Sequence, residues 1–498
     1  MSLLSERERH VIVIGGGLAG LCAAIAAAES GVRVTLIERN IKVPAGASLA
    51  ASSGLSAALD LNDVELFERD LTTCAGPLAR PHLIATLARG SLSSRQWLAD
   101  HGAPLLSRAI QTGGHSIART WLPPAPPACD DGSETNNALN SSTVGTLLSI
   151  SLANAVARQP LISIRKNIAV KKLLQRSTIG GGGRGGVAGV QCEGGEEIKA
   201  SAVVIATGGF GSAPEMLPLD LREMPYSSAR SADGSGIKLA KEFGAALVDM
   251  DMIQLHPTAF ANGIEKGKRE HLWLAPEGLR GCGGILLNPL TFTRFFNELE
   301  QRDKVTGAIL KLQDRIALLC LPAIAARSAP GALFHEASGR LKRAHGAQGL
   351  VDYYFDSSAK SEDTSEARSA ALTQLNTEFE QIATIARRRG ESDLFGRHYF
   401  GDEGIWEGAE VNDLLVARVT PAIHFTLGGI RINENAAVLD FSTENPIVGL
   451  FAAGEVAGGV HGACRLAGAA LADTVVFGKI AGEAAAAVQA TSELADAV

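Results

Sequence analysis

Aromatic residues are scarce: 16 Phe, 4 Trp and 4 Tyr make only 5% of 498 residues, too few for a stacking surface that tracks single-stranded nucleic acid. Positive charge is not in excess either. Lys and Arg number 46 against 53 Asp and Glu, a formal net charge of -7, which argues against nucleic acid as the main partner. Any anionic ligand is therefore held by local charge. The cysteines, at 22, 74, 129, 192, 282, 320 and 464, include no C-x-x-C pair, which excludes a haem attachment site, an iron–sulfur set and a cysteine metal site. Their odd number and scatter suit reduced thiols in the cytoplasm or another reducing soluble compartment. No run reads as a membrane span. The uncharged stretch Val11 to Ala28 follows Arg7, Arg9 and His10 as a targeting segment would, but glycines 15–17 suit neither a signal peptide nor a span. What is present is a globular composition, 46% apolar and 20% charged with 55 glycines, long enough for two or three domains.

Residues 10–40 predict a β-branched strand, a glycine turn, an alanine-rich helix stopped at Gly31, and a second strand ending at Glu38: a βαβ unit. Helices are predicted near 82–101 and 141–157, with a Pro/Ser/Asn-rich surface loop over 122–142 between them. The segments 162–174 and 187–195 alternate well enough for a hairpin, with Gly180–Gly186 as a flexible tip. Residues 201–211 read as a buried strand entering a glycine turn. From about 255 to 420 the texture is one of polar helices, after which Gly/Ala-rich text returns. That return predicts one discontinuous domain, 1–254 and 421–498, interrupted by an insert at 255–420.

Gly15-x-Gly17-x-x-Gly20 lies between the first strand and helix, where glycines allow a tight turn, close approach to a pyrophosphate and packing of helix on strand. Glu38, about twenty residues on, stands where an acid binds ribose hydroxyls. An acid there disfavours a 2′-phosphate, so the ligand is FAD or NAD rather than NADP.

Further blocks run along nearly the whole chain: SLAASSG at 48–54, GGHSIAR at 113–119, SADG at 231–234, QLHPT at 254–258, EGLRGCGGILLN at 277–288, and RFFNE at 294–298 leading to Arg302-Asp303. PAIHFTLGG at 421–429, AGEV at 453–456 and HGACRL at 461–466 complete the set. With these blocks the chain resembles the soluble fumarate reductase and succinate dehydrogenase flavoprotein family, the yeast-type soluble fumarate reductases in particular. The resemblance implies an α/β fold: a discontinuous Rossmann-type FAD-binding domain with an inserted α+β capping domain, and fumarate reduced between them. It implies a substrate dicarboxylate on Arg465 and His424 at one end and near His256 at the other, with Gly468 alongside. Arg302 is the implied proton donor, with Glu277 and Arg280 returning the proton from solvent. Glu277-x-x-Arg280 has the i,i+3 spacing that puts both groups on one helical face, in contact. The implied FAD contacts are Gly15, Gly17, Ala19, Gly20, Glu38, Arg39, Ala47, Ser48, Ser53, Gly54, Val170, Thr207, Gly208, Asp233, Glu455, Ala470 and Leu471. Membrane-bound relatives attach flavin through a histidine at the position of Ala47, so FAD here is expected to be non-covalent. His115 is expected in a loop near the flavin ring, and His461 as a neighbour shaping the turn before Arg465.

Four departures stand out. Ala47 replaces an Asn before Ser48, Cys464 replaces the Asn before the substrate arginine, and Ala467 and Ala469 add methyl groups to a Gly-Gly-Asn/Ser pattern. Pro276 precedes Glu277 in place of Thr or Ala. An extra residue in the loop 289–293 means that Arg302 is assigned by its distance from Asn297-Glu298. Other readings are an acceptor such as urocanate or methacrylate, or a flavin-binding paralogue without activity. With no haem, FMN or iron–sulfur signature, electrons are expected from free reduced flavin or a separate reductase.

Overall fold

A computed structural model describes residues 9–123, 143–176, 185–262, 269–326, 329, 331–357, 363–388 and 391–488. The βαβ unit forms as the text predicts, with strands His10–Ile14 and Arg33–Glu38 parallel and helix Leu18–Glu29 between them. They sit in a six-stranded sheet whose order is Ala437–Leu439, Pro446–Ala452, Ala202–Ile205, His10–Ile14, Arg33–Glu38 and Ile162–Lys166. All neighbours are parallel except the first pair. A strand buried on both faces reads as an unbroken apolar run, and His10–Ile14 does.

Glycine and alanine recur at both ends of the chain because two helices meet there at close range. A Cβ on Gly482 would lie 2.3 Å from the Ala23 carbonyl oxygen, and one on Gly478 would lie 2.8 Å from Cys22 Cβ. Helix Ala469–Ala487 thus lies against Leu18–Glu29 with almost no side chain between.

Helix Pro81–Asp100 starts with proline in its first turn, and Val144–Arg158 starts at Thr143, whose hydroxyl accepts from Thr146 N–H at 3.1 Å. The expected 162–174 strand divides instead. Asn167 has φ +60, which breaks it into an edge strand of the main sheet and a second strand, Val170–Gln175, that pairs with Val187–Cys192. Most of the expected loop 122–142 and glycine tip 180–186 lies outside the described residues.

Residues 255–420 carry the expected helices, among them Arg302–Leu310, Gly346–Ser357 and Ser365–Arg387, together with strands. A five-stranded antiparallel sheet runs through this insert, formed by Ile253–Phe260, Leu414–Thr426, Ala317–Pro322, Ile285–Leu287 and Lys342–Ala344. Ala317–Pro322 is buried at every position, so it lacks the period-two alternation that marks a strand in sequence. A second apolar core, drawn from residues 260–419, packs around this sheet, while the first core draws on 11–245 and 423–486. The two longest strands of the insert, Ile253–Phe260 and Leu414–Thr426, cross between the two cores. Their register pairs His256 with Ala422, next to a bulge before Ala259 that accommodates Pro257.

Candidate active site

Three buried guanidinium groups converge where the cores meet. Arg302 opens helix Arg302–Leu310, Arg280 ends the short helix Glu277–Gly281, and Arg465 lies in the turn before the last helix. Arg302 donates from Nε at 2.9 Å and from Nη2 at 2.6 Å to Glu277 Oε2. Burial works against the Glu277 carboxylate, but the charges of Arg302 and Arg280 outweigh it and hold the carboxyl down to about 2. Gly113 N–H also stabilises it, and a Cβ on Gly113 would lie 3.0 Å from Glu277 Oε1. The expected direct Glu277–Arg280 contact is replaced: Arg302 takes the carboxylate, and Arg280 Nη1 donates to the Glu298 carbonyl at 2.5 Å.

The histidines stand beside these cations. His256 and His424 meet edge to face with ring centroids 5.2 Å apart. His424 Nδ1 bonds the Ser227 hydroxyl at 3.1 Å, and His256 Nδ1 lies 3.2 Å from the Thr258 backbone nitrogen. Burial pushes both histidines well below their ordinary value, helped at His256 by Arg302 and at His424 by Arg465. Both are neutral near pH 7. His256 Nδ1 is equally 3.2 Å from the Thr258 carbonyl, so these contacts suit either tautomer, and Nε2 has no partner among the described residues.

Arg465 is pushed down to about 9 by burial and by the Arg302 charge. Its guanidinium lies 4.6 Å from the Phe425 ring centroid, and its backbone carbonyl accepts from Gln254 Nε2 at 3.1 Å. Arg280 Nε and Nη2, Arg302 Nη1 and Arg465 Nε are buried donors without a partner among the described residues. Three arginines surround the Glu277 carboxylate, with Glu298 near Arg280 and Glu455 near Arg465, in a cluster whose histidines are neutral. Buried donors of this kind call for acceptors, and an anion supplies them together with countercharge.

The residues expected at a dinucleotide lie along the carboxyl edge of the six-stranded sheet and the two helix starts. Gly15 has φ +111, and a Cβ there would be 2.4 Å from the Ala206 carbonyl oxygen; at Gly20 it would be 1.9 Å from the Gly15 carbonyl oxygen. Helix Leu18–Glu29 begins after Gly17 and the last helix after Gly468, each without a side-chain cap; Ala469 N–H turns back to the Leu466 carbonyl at 3.2 Å, while the first helix has first-turn N–H groups to offer an anionic group. Thr207 Oγ1, beside Gly208, is buried and unpartnered among the described residues. Glu38 accepts from Gly16 N–H at 2.6 Å and Asn40 N–H at 2.7 Å, which fixes the carboxylate at the turn. Val170 follows Ile168, whose N–H donates to the Glu38 carbonyl at 3.2 Å. These features fit an FAD cradle.

Other expected positions are placed as follows. Arg39 and Asp233 are tied to each other at 2.6 Å. Ala47 and Ser48 form a short 3-10 turn, against which Gly145 packs so closely that a Cβ would lie 1.8 Å from the Ser48 carbonyl oxygen. Ser53 and Gly54 lead into the strand Leu55–Ser56, which lies against Gly468 through Ser56 N–H to the Gly468 carbonyl at 3.2 Å. Glu455 accepts from Thr426 N–H at 3.0 Å and is raised to about 6 by burial. Ala19 lies in the first helix, and Ala470 and Leu471 in the first turn of the last. His115 bonds the Ala467 carbonyl at 2.9 Å and is lowered to about 4 by burial. His461 faces Asp473 at 3.4 Å. Ser227, Thr258, Gln254, Phe425 and Gly113 were not singled out individually from sequence. Their roles arise from long-range contacts, although four of the five stand inside or beside quoted blocks.

Among the described residues no helix is long and apolar enough to cross a membrane, and no group of three or more His, Cys, Asp or Glu is disposed to hold a metal ion. The chain matches the FAD binding domain family over residues 10–471. It is 34% identical over 512 residues to fumarate reductase 1 of Saccharomyces cerevisiae, covering 96% of this chain and 98% of that protein. It is 26% identical over 507 residues to urocanate reductase of Eggerthella lenta, covering 96% of this chain and 74% of that protein. Among solved structures, the open conformation of a flavocytochrome c3 fumarate reductase superposes with a TM-score of 0.68 at 30% identity, covering 96% of this chain and 78% of that one. The chain therefore belongs to the FAD binding domain family and is an FAD-dependent oxidoreductase of Rossmann-type fold.

Proposed function

We propose that the protein reduces fumarate to succinate, with Arg302 as proton donor. The observation that carries this reading is the cluster of unpartnered buried donors on Arg280, Arg302 and Arg465, which suits the carboxylates of a dicarboxylate. Reduced FAD, when bound non-covalently, supplies a hydride to one olefinic carbon.

The chain's own residues do the rest. Arg465 holds one carboxylate, with neutral His424 as a further donor, and His256 Nε2–H holds the other. Polarisation of the bound carboxylates builds carbanion character on the second olefinic carbon, and a carbon that basic draws H⁺ from Arg302. Although a guanidinium is normally a very weak acid, its loss of the proton is transient here. Glu277 and Arg280 return a proton, because Glu277 already accepts two hydrogen bonds from Arg302. In this reading residues 1–254 and 421–498 bind FAD, residues 255–420 cap it, and free reduced flavin or a separate reductase supplies the electrons.

The test is to reduce the bound flavin without oxygen and add fumarate. Rapid return of oxidised-flavin absorbance is expected. Reoxidation by urocanate or methacrylate but not by fumarate would overturn the acceptor, and the similarity to urocanate reductase makes that the second reading. No reoxidation by any of the three would overturn the activity and leave a flavin-binding protein.

A further inference from the structure

Two of the cysteines are neighbours, although 390 positions separate them in sequence. Cys74 lies in the last turn of helix Asp63–Ala75, and Cys464 directly precedes Arg465. The backbones are held in register: Ala463 N–H donates to the Ala75 carbonyl at 2.9 Å, and a Cβ on Gly462 would lie 2.6 Å from that same oxygen. The Cys74 thiol donates to the Cys464 backbone carbonyl oxygen at 3.3 Å, which places the two side chains side by side. Both residues are partly exposed, whereas Cys22, Cys192 and Cys320 are buried.

We propose that Cys74 and Cys464 form a peroxide-oxidisable dithiol site whose disulfide disables the Arg465 substrate clamp. The Cys464 thiolate attacks one oxygen of hydrogen peroxide, giving a sulfenic acid and releasing hydroxide, which is protonated to water. The Cys74 thiol then attacks that sulfur, forming the S–S bond and releasing a second water. Two thiols and one peroxide become one disulfide and two waters, and the two electrons lost by sulfur reduce the peroxide. The site favours the first step. Interaction with Cys74 lowers the Cys464 thiol to about 7, against burial and the Asp303 charge and with smaller help from Arg302 and Gln254, while Cys74 is raised. A partly exposed thiol lowered toward neutral pH is the reactive kind.

The link to the clamp runs through Gln254. Its Nε2 donates at 3.3 Å to Cys464 Sγ and at 3.1 Å to the Arg465 carbonyl. A disulfide requires about 2.05 Å between sulfurs and takes Cys464 Sγ as a bonding partner, so closing it disturbs the Gln254 contact that joins Cys464 to Arg465. A displacement of about 1 Å in a clamp is enough to cost on the order of 100-fold in rate.

The effect on the clamp rests on the proposed role of Arg465, whereas the disulfide itself does not. The experiment treats the FAD-loaded protein with hydrogen peroxide, maps its peptides, titrates succinate by the change in flavin absorbance, and measures fumarate turnover with a reduced dye. The expected results are a Cys74–Cys464 linked peptide lighter by two hydrogens, weaker succinate binding, and a fall in turnover of about 10-fold or more, all reversed by dithiothreitol. Cys74→Ser should keep basal turnover and show no dithiothreitol-reversible loss. Absence of the linked peptide in the wild-type protein overturns the site, whatever the activity. A linked peptide with unchanged succinate binding and turnover overturns its coupling to Arg465. Failure of the untreated protein to use any unsaturated acid counts against the proposed function alone, because the peptide map still decides the dithiol.

Discussion

Arg302 and Glu277 share one oxygen: Nε and Nη2 of the guanidinium both donate to Oε2 of the carboxylate, at 2.9 and 2.6 Å. Nη1 is left without a partner among the described residues. The arginine is thereby oriented by two donors and has a third free for substrate. In the proposed mechanism the same contact makes Glu277 the group through which Arg302 recovers a proton.

Arg302→Ala and Arg302→Lys should each lower fumarate turnover by about 10²–10⁴-fold, the usual contribution of a positioned acid. Lysine keeps the charge but cannot reproduce the paired hydrogen bonds to Glu277. Flavin absorbance per protein should be unchanged in both variants. Near-wild-type turnover in either one removes Arg302 as the proton donor.

Glu277→Gln should cost about 3–5 kcal/mol of stability, because two buried guanidinium groups lose their countercharge. A carboxyl lowered from 4.5 to about 2 contributes stability that is complete above the unfolded value and disappears as pH falls from 4.5 toward 2. The variant should therefore be less stable than wild type at pH 7, with the gap narrowing steadily below pH 4.5. Urea unfolding at pH 7, 4 and 3 checks this, and a gap that stays constant refutes it.

The two histidines act in the same sense as Glu277, in a higher pH window. Folded His256 and His424 bind fewer protons than the unfolded chain below their ordinary value of 6.5. Stability is therefore full above pH 6.5 and falls as the solution becomes more acidic, by at most about 1.4 kcal/mol per pH unit for each histidine. The double variant His256→Gln, His424→Gln should show a shallower loss between pH 6.5 and 5, read from urea midpoints. Parallel curves for variant and wild type would mean that these rings are protonated in the folded state.

The parts of this molecule legible in its sequence are those with local or motif-borne signals. Gly15 through Glu38 reads correctly because a strand, a turn and a helix follow one another within thirty residues. Arg302, Glu277, Arg280, His256, His424 and Arg465 come together although they span positions 256 to 465, because each sits in a quoted block. The central strand Ala317–Pro322 left no alternation to read, since water reaches neither face. Pairings such as Arg39 with Asp233, Ser227 with His424 and Cys74 with Cys464 have no local signal, because only the folded backbone makes them neighbours.

Gly20→Ala should release FAD, and Gly31→Ala should not. Both glycines belong to the first βαβ unit, so the pair separates steric exclusion at the cradle from general loss of stability. A methyl at position 20 would lie 1.9 Å from the Gly15 carbonyl oxygen, a backbone atom that cannot rotate away, so the turn and the start of helix Leu18–Glu29 must part. Such overpacking costs about 1–3 kcal/mol or more, and the displaced N–H groups are those proposed to hold pyrophosphate. Gly31 has φ +80 but nothing within 4 Å of a Cβ, so alanine there bears only the left-handed strain, about 1–2 kcal/mol. Flavin retained after gel filtration, together with the melting temperature of each variant, is the measurement. If Gly20→Ala keeps its flavin while melting no higher than Gly31→Ala, the glycine turn does not form the FAD cradle.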